Sequence, residues 1–120
     1  MDLVEQMENK IYLYIIKSFG FLHTLKKKNL LNGLTDQLSM RLGQLNELYN
    51  QAIETTDKNE KNILLHKTLN LLDTIHEIYM NMHLPDESGV LFERADLQVE
   101  TSFLARDIKK LLTQISTQNT

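Results

Sequence analysis

The sequence predicts an all-α fold, an up-down-up-down antiparallel four-helix bundle, from three observations. Apolar residues recur at three- and four-residue intervals in four successive segments, which keeps each set on one helical face. The breaks between segments are short and carry turn and capping residues, and no segment alternates with the period of a strand. Short connections force neighbouring helices to run antiparallel, and each stripe is wide enough to meet two others. The expected unit is one domain over residues 1–120.

The first helix, about 2–29, is set by Val4, Met7, Ile11, Tyr14, Ser18, Phe21 and Leu25. Tyr12, Ile16 and Phe19 lie off that line, so from Ile11 to Leu25 the helix is apolar over more of its circumference than one core needs. Two readings follow: a central helix wrapped by the others, or a subunit interface along Tyr12, Ile16 and Phe19. Asn32-Gly33 reads as the stop, and Thr35-Asp36 as the cap of a second helix, about 34–55, carried by Leu38, Leu42, Leu45, Tyr49 and Ala52. Asp57 and Glu60 have capping-box spacing ahead of a third helix, about 58–83, built on Leu65, Thr68, Leu72, Ile75, Tyr79 and Met82. Pro85 ends it and pushes Leu84 into extended geometry. The fourth helix, about 87–116, starts at Asp86 or Ser88 with Gly89 in its first turn. It runs through Leu97, Thr101, Leu104, Ile108, Leu111 and Ile115, and Ser116 to Thr120 are expected to fray.

Composition narrows the function classes. With 42% apolar and 24% charged residues the chain is expected to fold, and its length suffices for a core without covalent staples. It has no cysteine, which removes disulfides, thiolate metal sites and thiol nucleophiles and makes the cytoplasm the expected compartment. Acidic residues stand where a secretion signal needs positive charge. The apolar run from Ile11 is cut by Lys17, short of the roughly 20 residues a bilayer span requires.

Catalytic and metal chemistry fails on ligand counts. Asp73-x-x-His76 with Glu77 has the spacing of a di-metal carboxylate site, but the fourth helix offers Glu100 followed by Phe103 where a second histidine is needed. His23, His66, His76 and His83 never fall at the His-x-x-x-His spacing. The four glycines are isolated, so no phosphate-cradling loop exists, and no serine or threonine has an evident base. The expectation is no catalytic residue, no metal, no cofactor and no small-molecule substrate.

The basic residues point to a partner. Lys26, Lys27 and Lys28 end the first helix and Arg41 lies early in the second, so antiparallel packing directs all four toward one end, where they could hold phosphates. Cations at a helix C-terminus also complement its dipole with no ligand at all. Arg106, Lys109 and Lys110 form another cluster, expected toward the opposite end. A net charge of -3 leaves no continuous basic face on one copy, and an oligomer is the way such a chain could gather one.

The stretches Leu34 to Ala52 (LTDQLSMRLGQLNELYNQA), Leu64 to Leu84 (LLHKTLNLLDTIHEIYMNMHL) and Ala95 to Leu112 (ADLQVETSFLARDIKKLL) resemble a known group. It comprises the four-helix-bundle proteins of 23S rRNA intervening sequences and the accessory variability proteins of diversity-generating retroelements. With the first helix, the resemblance covers nearly the whole chain. It implies a pentameric, non-catalytic accessory protein that partners a reverse transcriptase and its RNA. The chain departs from the group in lacking a proline after an aromatic between the first two helices, and in being acidic where nucleic-acid-binding members are basic. A protein-interaction module of inhibitor or immunity type, binding no nucleic acid, is the alternative expectation.

Overall fold

The computed structural model describes residues 2–85 and 89–118. These form four helices and, among the described residues, no strand: α1 (Leu3–Lys27), α2 (Gly33–Glu54), α3 (Lys58–Asn81) and α4 (Val90–Gln118). Each connection has a local cause. α1 begins with the Asp2 carboxylate accepting from the Glu5 N–H at 2.8 Å. It ends at Lys27, near the expected end at about 29, and the residue that stops it is Asn29, not the expected Asn32-Gly33. Asn29 takes the left-handed conformation (φ 58°), so the Leu30 N–H reaches the Leu25 carbonyl at 2.9 Å and the Asn29 N–H reaches Lys26 at 3.1 Å. Both bonds satisfy carbonyls that the helix end leaves open, and Leu30 folds back onto the core.

Asn32 therefore starts α2 instead of stopping α1. Its side chain accepts from the Leu34 and Thr35 N–H groups, and Thr35 Oγ1 accepts from the Asn32 N–H at 2.7 Å, a reciprocal cap that makes Gly33 the first helical residue. The expected Thr35-Asp36 cap is thus displaced by one turn. Asp57 caps α3 as expected, accepting from Asn59 and Glu60, but the Glu60 carboxylate accepts from the Thr55 hydroxyl at 2.8 Å instead of closing the box. α3 stops at Asn81, two residues before the expected end. Asp86 and Ser88, the expected start of the fourth helix, lie outside the described residues. Gly89 precedes the helix with φ 74°, a conformation incompatible with the first-turn position expected for it. α4 continues to Gln118, through part of the tail expected to fray.

Each helix packs on two others in cyclic order, α1 on α2, α2 on α3, α3 on α4 and α4 back on α1, in a body of 52 × 24 × 22 Å. The core is the sum of the four inward stripes. Leu25, Leu38, Leu42, Leu45, Leu72, Ile75 and Ile108 are fully enclosed, and Phe21 meets Tyr79 across the centre with ring centroids 6.0 Å apart.

One layer of this core is polar. Tyr14 Oη lies 2.5 Å from Thr101 Oγ1, and Thr101 spends its own proton on the Leu97 carbonyl at 2.6 Å, so the phenol is the donor. Ser18 sits close enough to Tyr14 and Tyr79 to lower both pKa values against the larger effect of burial, yet among the described residues Ser18 Oγ and Tyr79 Oη are enclosed and fall outside strict hydrogen-bond geometry. Burial pushes the Tyr14 phenol up to about 12 and raises the Tyr79 phenol well above its ordinary value. Arg94 Nη1 ties α4 to α3, donating to the Tyr79 carbonyl at 3.0 Å and to Gln98 Oε1 at 2.8 Å.

Candidate functional site

The outer surface carries apolar residues unevenly. On α1, Tyr12, Leu13, Ile16 and Phe19 expose between 39% and 64% of their surface. The reading of α1 as a helix wrapped on all sides is therefore wrong for this chain: Tyr12, Ile16 and Phe19 face outward. They are not on one side with Leu13. Tyr12 stacks on Tyr49 of α2, with centroids 5.7 Å apart and planes at 29°, whereas Leu13 lies in a groove shared with α4. Steps of about 100° per residue keep Ile16 and Phe19 close to the Tyr12 line and turn Leu13 away from it.

α4 supplies an outward stripe that the sequence reading missed. Phe92, Val99 and Phe103 fall at i, i+7 and i+11, within about 40° of arc, and are 74%, 51% and 51% exposed. The signal was present as a second apolar line beside the Leu97–Thr101–Leu104–Ile108 core line, and three residues over twelve positions gave it little weight. The Arg106 guanidinium lies 5.0 Å over the Phe103 ring, which orients both side chains.

The α1–α4 groove is flanked by charge. Lys10 pairs with Asp107 at 3.2 Å, and Lys17 pairs with Glu100, a contact that raises the Lys17 pKa first through the hydrogen bond and then through the nearby acidic charge. All four side chains keep more than a third of their surface in water, so these pairs contribute little to stability and stay open to a further partner. Leu13 and Phe103 lie between the two pairs, over Tyr14 and Leu104.

Of the candidate phosphate-binding residues, Lys26, Lys27 and Lys28 are exposed at the C-terminal end of α1. Arg41 lies further along the chain, on α2. It stands in the third turn of α2, about 12 Å from the helix start, partly buried, with Nη1 donating to Gln44 Oε1 at 3.0 Å. Arg106 is engaged by Phe103, and Lys109 lines a groove opposite Asp73 and His76. That opposition fits the failed ligand count, because the wall facing the carboxylate and imidazole is cationic. Among the described residues no group of three His, Cys, Asp or Glu side chains is placed to hold a metal ion, and no helix is long and apolar enough to cross a membrane.

A cleft of about 520 Å³ lies at one end, where Leu3 and Val4 of α1, Leu65 of α3 and Leu111 and Ile115 of α4 form an apolar floor beside Asn62 and Lys61. Lys61 reaches Glu8 Oε2 at 3.4 Å across this end, and Asn62 Oδ1 is enclosed without a hydrogen-bond partner among the described residues.

No protein-family model, curated protein or solved structure matches the chain.

Proposed function

We propose that this chain is a non-catalytic, homo-oligomeric scaffold that docks onto a nucleoprotein partner. The unit is an antiparallel up-down-up-down bundle, a reading supported by the pairing of Lys10 with Asp107 and Lys17 with Glu100, rising numbers against falling ones. The observation that carries the proposal is the weight of half-exposed apolar side chains on α1 and α4, including Tyr12, Ile16 and Phe19, against Met40 and Ile53 on α2 and Ile63 and Met80 on α3. Exposure on that scale marks an interaction surface. The nucleic-acid side of the reading rests on the exposed Lys26, Lys27 and Lys28, which repeat with each copy. A reverse transcriptase with its RNA is the partner implied by the family resemblance.

The test combines light scattering with RNA retention. The expected mass is a multiple of the chain's 14.0 kDa. Retention should fall with salt at a log–log slope of about -2 per copy engaged, from three phosphate contacts on single-stranded RNA. Lys26→Glu, Lys27→Glu and Lys28→Glu together should abolish retention and leave the mass unchanged. A single-chain mass combined with no RNA retained at low salt sinks the proposal.

One observation favours the alternative of a pure protein-interaction module. Arg41 is partly buried and spends Nη1 on Gln44, which leaves it less accessible than the three exposed lysines. Binding that persists at high salt would select this reading, since an apolar docking face keeps its affinity where phosphate contacts lose theirs.

A further inference from the structure

We infer that the α1–α4 face, not the Tyr12–Ile16–Phe19 line, joins two copies of this chain about a twofold axis parallel to the helices. The inference rests on the homo-oligomer reading but assigns the contact and fixes its stoichiometry at two. Three features of the face carry it.

The first is area. Leu13, Phe92, Val99 and Phe103 expose 64%, 74%, 51% and 51% of their surface on this side. At roughly 200 Å² per side chain they present roughly 500 Å² of apolar surface. That is the size of the largest apolar patch on a typical monomer, roughly 300–600 Å², a patch that is often functional.

The second is the arrangement of charge. Both lysines of the groove, Lys10 and Lys17, are on α1, and both acids, Glu100 and Asp107, are on α4. Lys10 stands level with Asp107, and Lys17 with Glu100, the two levels being about 10 Å apart along the helices. A twofold axis running along the groove keeps each height and exchanges α1 for α4. It therefore sets the second copy's lysines against these acids at both levels and closes Leu13 over Phe103. An axis across the helices would instead set α1 on α1, lysine against lysine. The face is thus complementary to itself in one orientation, which is the requirement of a contact that closes at two.

The third is availability. Each of the four charged side chains remains more than a third exposed while paired within its own chain, so a second opposite charge can join it without breaking the first pair.

Light scattering on the full chain and two sets of variants tests the assignment. The wild type should have twice the 14.0 kDa chain mass. Leu13→Glu with Phe103→Glu should bring it to the single-chain mass with helicity unchanged, because both side chains already face water. Lys10→Glu with Lys17→Glu, and Glu100→Lys with Asp107→Lys, should each be single chains alone and form a mixed pair when combined. A wild-type mass of one or five chains overturns the inference, as does a double mass that survives Leu13→Glu with Phe103→Glu. Charge-reversed variants that fail to pair on mixing also overturn it. An oligomer broken by Ile16→Glu with Phe19→Glu but not by Leu13→Glu with Phe103→Glu removes this face and leaves the scaffold reading intact.

Discussion

Removing one oxygen from the core should make this protein more stable. Tyr79 is fully enclosed and, among the described residues, its hydroxyl has only Ser18 beside it, outside strict hydrogen-bond geometry, which costs about 1–3 kcal/mol relative to a solvated phenol. Tyr79→Phe deletes that cost and keeps the ring contact with Phe21. The void left by one oxygen, roughly 10 Å³, returns only about 0.2 kcal/mol. The net expectation is a gain of about 1 kcal/mol. At about 2.1 cal/mol/K per residue, 120 residues give an unfolding entropy near 0.25 kcal/mol/K, so Tm should rise by about 4 °C. Tyr14→Phe is the control of opposite sign. It removes the donor to Thr101 and should cost about 1 kcal/mol, lowering Tm by a similar amount. Circular dichroism during thermal and urea unfolding measures both. If Tyr79→Phe lost about 1 kcal/mol instead, the hydroxyl would be hydrogen-bonded in solution, through Ser18 or an enclosed water, and the reasoning would be refuted.

The same phenols predict alkaline sensitivity. Unfolded tyrosines ionise near pH 10, while burial holds the Tyr14 proton up to about 12 and the Tyr79 proton higher still, so above pH 10 the native state retains protons that the unfolded state has released. Stability is therefore intact below pH 10 and falls above it, by about 1 kcal/mol per pH unit for each phenol, and urea midpoints should show a shallower fall in the Tyr14→Phe, Tyr79→Phe double variant. At the end of α1, Asn29→Ala should cost about 1 kcal/mol, because alanine lacks asparagine's tolerance of a left-handed backbone, and Asn29→Gly should cost nothing. A urea midpoint for Asn29→Ala equal to that of the wild type would contradict the cap described here.

The fold was legible wherever one residue type answers one physical demand. The stripes of Leu38–Leu42–Leu45 and Leu65–Leu72–Ile75 are inward because leucine spacing leaves no other choice, and Asp57 caps α3 because a carboxylate satisfies open N–H groups. The α1–α2 connection was misread because asparagine serves two demands. Asn29 and Asn32 both suit a left-handed stop and a cap, and only the backbone shows that the first stops and the second starts. The extra apolar residues of α1 were visible, but which side they serve was not. Tyr12 turns to α2 and Leu13 to α4, one residue and about 100° apart, and that distinction needs the neighbours in place. Arg41 stood out by its charge and by helix order, and its bond to Gln44 was not legible because it is set by the helix surface around it.

The cyclic packing has a consequence for how the chain is made. α1 leaves the ribosome before the other three helices, and the Tyr14–Thr101 bond that closes the polar layer joins residues 87 positions apart. At elongation rates of 5–20 residues per second, Met7, Ile11 and Tyr14 wait on the order of ten seconds for the α4 surface that covers them. During that interval the same helix carries an unsealed inner face and an exposed outer one, so a nascent α1 is the segment most in need of a chaperone's shelter. Closure of the ring is then a late event that waits for α4.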